Sequence, residues 1–307
     1  MNDKRPRFKP FLKWAGGKTQ LLEKLYDEMP ESIKSSNEFP LYIEPFIGGG
    51  ALFFFLKSMF DIDFSIIADI NQDLITTYYV VQQHVDDLIV ILEKIEKSYL
   101  ESSPENRTDM YYKVRDRFNL RKDEFKNNIT ADIAIAHAAD MIFLNRTCFN
   151  GLYRQNRKGH FNVPEGKYKN PKICQTDVLK DANNALENTR IVIGDFNDIF
   201  KYVNEQSFLY YDPPYRPLNR TSSFNSYSKH GFNDDDQKRL ASFYRKVDKM
   251  GAYQMLSNSD PKSTDPRDDF FDDLFEGFNI SRINARRMIN SNADKRGSIT
   301  ELLITNY

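Results

Sequence analysis

Asp212-Pro213-Pro214-Tyr215 directly follows the apolar run Phe208-Leu209-Tyr210-Tyr211. The paired prolines fix φ and remove two amide donors, so the local backbone offers carbonyl acceptors without competing N–H groups. Asp212 adds a carboxylate acceptor and Tyr215 a flat aromatic face. Two acceptors beside a stacking surface suit the exocyclic amino group of a planar base. The plainer reading is a strand-end turn with a stray aromatic. The strand-like run in front weighs against it, because residues just past the carboxyl ends of strands line the ligand crevice of open α/β sheets.

Glu44-Pro45-Phe46-Ile47-Gly48-Gly49-Gly50 is the second element. Glycines after a strand let backbone approach a ligand closely and let a helix begin tightly. Asp69 ends the following strand-like run, where an acid can hold a ribose diol. A full G-x-G-x-x-G is absent, since Ala51, Leu52 and Phe53 follow the glycines. A nucleoside cofactor without a pyrophosphate needs less of that phosphate cradle. Phe11 to Thr19 contains Gly17-Lys18-Thr19, the tail of a P-loop, but the first glycine of that motif would fall at Leu12. No strand precedes it either, and the NTPase reading is rejected.

These residues need a frame. Leu41 to Phe46 and Ser65 to Ala68 read as strands, joined through the glycines and a helix-like stretch from Ala51 to Lys57, which opens a β-α-β unit. Asn71 is an N-cap candidate, and Leu74, Tyr78, Val81, Val85, Leu88, Leu92 and Ile95 then form one apolar stripe, predicting a single long helix. Such a stripe serves a coiled coil or, more commonly, packing inside a helical domain. Tyr111 to Phe118 and Ala131 to Leu144 give two further helices. Leu152 to Gln155 and His160 to Val163 flank a polar turn ending in Gly159 and predict a β-hairpin with a basic tip. Strand-like runs return at Ile191 to Ile193, Phe208 to Tyr211, Tyr253 to Leu256 and Leu302 to Ile304. The expected architecture is a doubly wound α/β domain (residues 1–72 and 176–307) with a mostly helical insertion at 73–175.

At 307 residues the chain can bury a sizeable core, and 40% apolar against 28% charged residues excludes collagen-like and bulk-disordered classes. Two cysteines, Cys148 and Cys174, build neither a disulfide framework nor a cysteine zinc site, and His84, His137, His160 and His230 lack ligand spacing, so no metal is expected. No apolar run is long enough for a membrane helix, and no secretory signal opens the chain, so a cytoplasmic setting is expected. The net charge of −1 hides three basic segments. Lys4, Arg5, Arg7, Lys9, Lys13 and Lys18 form the first; Arg146, Arg154, Arg157, Lys158, Lys167, Lys169 and Lys172 the second; Arg282, Arg286, Arg287, Lys295 and Arg296 the third. If these converge they attract phosphate whatever the total charge.

In their order along the chain, Phe11 to Lys18, Glu44 to Gly50, Ala68-Asp69-Ile70-Asn71, Asn150-Gly151-Leu152-Tyr153-Arg154, Phe161-Asn162-Val163-Pro164, Asp212 to Tyr215 and Leu256-Ser257-Asn258 resemble the motifs of DNA adenine-N6 methyltransferases of the Dam and Dpn type. The resemblance extends from Phe11 to about Tyr307. It implies a Rossmann-like, S-adenosylmethionine-dependent methyltransferase sheet with an inserted target-recognition domain that carries the hairpin. It also implies duplex DNA as substrate and GATC as target, and leaves open either a companion restriction endonuclease as a functional partner or a solitary role in regulation or repair.

The resemblance assigns roles residue by residue. Trp14, Gly17 and Lys18 would pack on and hydrogen-bond S-adenosylmethionine, Phe46 and Gly48 would lie under its methionine part, and Asp69 would hold its ribose. Asp195 and Phe196 would sit at its adenine ring, although a turn-stabilising Asp195 is an equal reading. Asp212, Pro213, Pro214 and Tyr215 would carry catalysis, with Asp212 also beside the cofactor. The carboxylate and the Pro213 carbonyl would accept the two amino hydrogens of an adenine flipped out of the duplex and stacked on Tyr215. Phe149, Asn150, Leu152, Arg154 and Pro164 would touch or wedge the target bases, and Arg146, Arg157 and Lys158 would position phosphates. Arg154 suits a bidentate guanine contact and Leu152 a thymine methyl. Two departures keep a different target open: Lys167 stands where the family usually has Arg, and Glu165 where an apolar residue is common. Methylation of RNA or of cytosine N4, and an idle DNA-binding scaffold, are the remaining readings; the leading Asp212 and the intact Trp14, Lys18 and Asp69 speak against them.

Overall fold

The computed structural model describes residues 7–36, 38–124, 130–216, 232–286 and 298–307. Its centre is an α/β sheet whose strands alternate faces with period two. β1 (Glu38–Glu44), β2 (Asp61–Asp69), β3 (Thr189–Ile193), β4 (Ser207–Tyr211) and β5 (Tyr253–Ser259) pair in parallel, while β7 (Ser298–Thr305) runs antiparallel between β5 and β6 (Asn279–Arg286). Among the described residues the order is β3-β2-β1-β4-β5-β7-β6. It is a mixed seven-stranded sheet of the doubly wound, Rossmann-like kind expected from the sequence. Tyr42, Ile67, Phe208, Tyr210 and Met255 enter one core; Ile43, Ile66, Leu209, Tyr211 and Leu256 enter the other.

The first core receives α1 (Leu22–Asp27), α3 (Ala51–Met59) and the helices that follow β2. The second is closed by a 3-10 turn at Phe196–Tyr202, α9 (Asp234–Asp248) and α10 (Phe270–Leu274). α2 (Glu31–Ser36) packs beside β1. Gly50 caps α3 at φ +70, and a Cβ there would lie 2.7 Å from the Tyr78 hydroxyl, so this glycine is sterically required.

The long helix expected from Leu74 to Ile95 is two helices, α4 (Gln72–Gln83) and α5 (Val85–Glu101). His84 interrupts them at φ −139, ψ 36, yet its carbonyl still accepts from Leu88 N, so α5 restarts at once. The stripe persists because both helices pack against α7 (Ala131–Thr147); nothing in it marks the break, since His84 is neither glycine nor proline. α6 (Pro104–Glu124) extends well beyond the expected Tyr111 to Phe118, and α8 (Thr176–Ala185) returns the chain to β3.

The hairpin exists without regular strands. Asn156 N donates to His160 O at 2.8 Å, Asn162 N donates to Arg154 O at 3.1 Å, and Gln155 bridges Phe161. The Asn156 side chain holds its turn by accepting from Lys158 N and His160 N. α6 fastens the base: Asn119 brackets Phe161, donating to its carbonyl and accepting from its N–H. No helix among the described residues is long and apolar enough to cross a membrane.

Candidate active site

The parallel strands β1, β2 and β4 end side by side, which brings Glu44, Asp69 and Asp212 to one edge of the sheet. Lys18, 5% exposed, reaches this edge from the N-terminal loop. Its Nζ lies 2.7 Å from Asp212 Oδ1 and 2.9 Å from Oδ2, and donates to Gly16 O at 2.9 Å. The same ammonium stands 4.5 Å from the centre of the Tyr215 ring, whose hydroxyl donates to Glu301 Oε2 at 2.8 Å. Burial pushes the Asp212 carboxyl above its ordinary value, and Lys18 pulls it back. The result is an acceptor paired with an adjacent cation, which favours its charged form, in a partly water-excluded site.

The backbone beyond Asp212 is held from behind. Gln237 on α9 donates to Pro214 O at 3.3 Å, and the buried Asn258 on β5 donates to Gln237 Oε1 at 3.1 Å. Asn258 Oδ1 also accepts from Ser259 N, and Tyr210 meets Ser257 at 3.0 Å. The Leu256-Ser257-Asn258 segment therefore fixes the Pro-Pro turn. Pro213 is buried and Pro214 exposed.

Trp14 and the glycine turn form the adjoining wall. Gly48 has φ +46, and a Cβ on it would lie 2.9 Å from Trp14 Cδ1, so the indole closes against bare backbone. Asp69 accepts from Gly48 N at 3.2 Å and from Asn71 N at 2.9 Å. A carboxylate retains lone pairs beyond these two bonds. Burial outweighs the bonds and pushes Asp69 up to about 6. Phe46 packs on Phe196 at 5.6 Å and on Phe232 at 5.7 Å. Gly17 is exposed beside Lys18.

Asp195 and Phe196 open the 3-10 turn that follows β3. Phe196 is 2% exposed, among Phe46, Phe232 and Phe243. Asp195 accepts from Asn197 N in a capping box and pairs with Arg239 at 2.9 Å. Ile70, 67% exposed just past Asp69, has the exposure a ring-stacking residue needs. Its signal was a large aliphatic at the carboxyl end of a strand. Glu44 lies at the same end of the sheet; it is 2% exposed and accepts from Tyr42 at 2.7 Å.

The residues that the resemblance assigns to DNA lie apart from these. Phe149 (53% exposed), Asn150, Arg154, Arg157, Lys158, Pro164 and Lys167 are all exposed, and Leu152 is half-buried. Asn150 (φ +58) and Lys167 (φ +52) are left-handed, and Asn150 N donates to the Tyr168 hydroxyl at 3.0 Å. Arg154 Nε donates to Asn162 Oδ1 at 2.9 Å, which orients its guanidinium. Pro164 O accepts from Phe149 N, tying the two ends of this surface together. Glu165 turns away from it, accepting from Tyr99 at 3.1 Å and Thr108 at 2.7 Å on α5 and α6. Lys13 packs over Gly151 and, with Arg146, Tyr168, Asn170, Lys172 and Gln175, lines a cavity of about 200 Å³.

The basic segments are only partly available for phosphate. Arg146 is half-buried and donates to Phe11 O at 2.6 Å. Arg282 pairs with Asp272 at 2.7 Å and Asp260 at 3.3 Å, so the neighbouring acids neutralise it. Lys4, Arg5, Arg287, Lys295 and Arg296 lie outside the described residues. No group of three or more metal-ligating side chains occurs among the described residues. Burial pushes the Cys148 thiol up to about 12, far from a thiolate nucleophile at neutral pH.

Comparison with known proteins agrees with this layout. The family model described as D12 class N6 adenine-specific DNA methyltransferase matches residues 14–289. A protein of Methanocaldococcus jannaschii named type II methyltransferase M.MjaIII is 51% identical over 300 residues, 97% of this chain and 99% of its own. Type II methyltransferase M1.LlaDCHI of Lactococcus lactis is 38% identical, over 97% and 95% of the two chains. The DNA adenine methylase of Escherichia coli K12 is 30% identical, over 95% and 93%.

Proposed function

The chain belongs to the D12 class of N6 adenine-specific DNA methyltransferases, and from that premise we propose that it uses S-adenosylmethionine to methylate adenine N6 in duplex DNA, within GATC. The buried Lys18–Asp212 pair between the strand ends carries this reading. The residues present fit the proposed donor: a glycine turn closed by Trp14, an acid with spare acceptor capacity at Asp69, and the exposed Ile70 beside it. When bound, that cofactor supplies an activated methyl electrophile. Asp212 accepts one amino hydrogen of adenine and the Pro213 carbonyl the other. Both bonds localise the nitrogen lone pair that the ring otherwise withdraws. Positioning then supplies most of the rate. A paired base cannot reach this edge, so it is flipped out and stacked on Tyr215.

Residues 73–175 serve as the target-recognition region, with the hairpin at the DNA. Glu165 is anchored inward, which accounts for an acid at that position and supports an unchanged reading surface. Lys167 remains the residue through which the target would differ, since an ammonium gives a point contact where Arg gives a fork. The type II names of two relatives favour a companion endonuclease acting on the same sequence in the compartment that holds the DNA.

The test is single-molecule mapping of modified bases in DNA from a methylation-deficient host that expresses this chain. N6-methyladenine confined to GATC is the expected outcome; another motif would refute the target, and no modification the reaction. Two further results are expected. Arg154→Ala should lower discrimination at one base pair by about 1–3 kcal/mol, whereas uniform weakening on all duplexes would make Arg154 a phosphate contact. Because Asp69 loses its charge below about pH 6, S-adenosylhomocysteine binding should weaken as pH falls from 7.5 to 5. Calorimetry that finds a constant Kd across this range would remove Asp69 from the cofactor site.

A further inference from the structure

Asp73, on the first turn of α4, is 3% exposed and gathers partners from three other parts of the chain. Lys122 Nζ of α6 lies 2.6 Å from Oδ2, and His137 Nε2 of α7 lies 3.0 Å from Oδ1. From the hairpin come the Tyr153 hydroxyl and Gln155 Nε2, the latter at 3.2 Å. Burial works against its charge, but the hydrogen bond to His137 and the Lys122 ammonium outweigh it and hold the Asp73 carboxyl down at about 2.

The arrangement joins two regions. Tyr153 and Gln155 flank Arg154, so both neighbours of the exposed guanidinium are pinned to one carboxylate. Lys122 also donates to Gly159 O at 2.7 Å, which ties the hairpin turn to the same point. On its other side the Tyr153 ring stacks on Trp14, with centres 5.0 Å apart and planes 20° from parallel. Trp14 is the residue that closes the glycine turn. A second route is covalent: Asp73 and Asp69 share the cap of α4, where Asn71 N donates to Asp69 and Asn71 Oδ1 accepts from Leu74 N.

We propose that Asp73 is a specificity-determining positioning residue, which sets the hairpin at the DNA and couples base reading to occupancy of the cofactor site through Tyr153 and Trp14. The inference rests on the functional reading above. A carboxylate buried with one cation, an imidazole, a phenol and an amide has little freedom, so the hairpin cannot shift without breaking bonds to a charge. A displacement of Trp14 by a bound nucleoside is then felt at Arg154. Coupling of this kind is reciprocal: whatever the cofactor does for cognate DNA, cognate DNA does for the cofactor.

Tyr153→Phe is the informative variant, because it keeps the ring and its stack on Trp14 and removes the hydroxyl that donates to Asp73 and accepts from Gln155. Three quantities are measured on the full chain. The first is kcat/KM on the duplex sequence methylated in cells, against the duplex substituted at the base pair Arg154 reads. The second is the ratio of cognate-duplex Kd without and with S-adenosylhomocysteine, by fluorescence anisotropy. The third is the Kd of S-adenosylhomocysteine alone. The expected result is a loss of discrimination of about tenfold, the fold-change of one hydrogen bond to a charged group. The Kd ratio moves toward one, and the affinity for S-adenosylhomocysteine alone stays within about twofold. Asp73→Asn should go further in the same direction if it folds. Unchanged discrimination and Kd ratio in Tyr153→Phe would overturn the proposal. So would a general loss of stability and of all affinities with discrimination intact, which is what a purely structural contact would give. A wild-type chain that binds S-adenosylhomocysteine and methylates DNA keeps those failures separate from the functional reading; one that does neither refutes both.

Discussion

Asp212→Ala is expected to lower kcat by on the order of 10³-fold or more, the scale seen when a preorganised group at a reacting centre is removed. Binding of S-adenosylhomocysteine should persist. The variant has a second effect. Lys18 is 5% exposed and would keep a buried charge without its carboxylate, a loss of about 3–5 kcal/mol in comparable buried pairs. Thermal melting should therefore fall together with activity. The double variant Asp212→Ala with Lys18→Met should recover much of the stability and none of the methyl transfer. Single-turnover kinetics and melting on the two variants separate the roles. Activity returning in the double variant would show that Asp212 acts only by neutralising Lys18.

Lys18→Met on its own should move the acid limb of the activity profile to higher pH. Burial already pushes Asp212 upward and Lys18 is the main opposing influence. An adjacent opposite charge favours the charged form of a carboxyl. Without it Asp212 is protonated over a range where the wild type is charged, and a protonated carboxyl cannot accept the amino hydrogen in the same way. Activity depends on the charged form, so it is lost as pH falls through the raised value and regained as pH rises above it. The loss should be largest at the acid end of the range and shrink as pH rises. A uniform loss at every pH, measured by initial rates under saturating substrate, would place Lys18 on the ligand instead of on Asp212.

The parts of this site that could be read from the sequence are those written in neighbouring residues. Strand ends at Asp69 and Asp212 were legible because short apolar runs stop at an acid followed by turn-forming residues. The glycine turn was legible because three glycines have few other uses there. Pairing across the chain was not. Lys18 and Asp212 lie 194 positions apart, and no local pattern says that one neutralises the other; Lys18 was read as a ligand contact only. Asp73 is locally just a first-turn acid on a helix, and its bonds to Lys122, His137, Tyr153 and Gln155 follow only from packing. Glu165 stood out as an unexpected acid on a reading surface, whereas its side chain points back to Tyr99 and Thr108, a direction that a loop sequence does not encode. The break at His84 carries no glycine or proline and was invisible for the same reason.

The position of β7 has a consequence for how the molecule is made. It lies between β5 and β6, although both precede it in the chain. On the ribosome β5 is therefore finished with an open outer edge, and β6 emerges with its pairing partner still unsynthesised. An unpaired edge of this kind invites association with other chains, and pairing between distant segments is slow to form. The sheet is completed only when the latest-made of its strands threads between two older ones. Nascent chains stalled before Ser298 should accordingly depend on chaperones far more than the finished protein does.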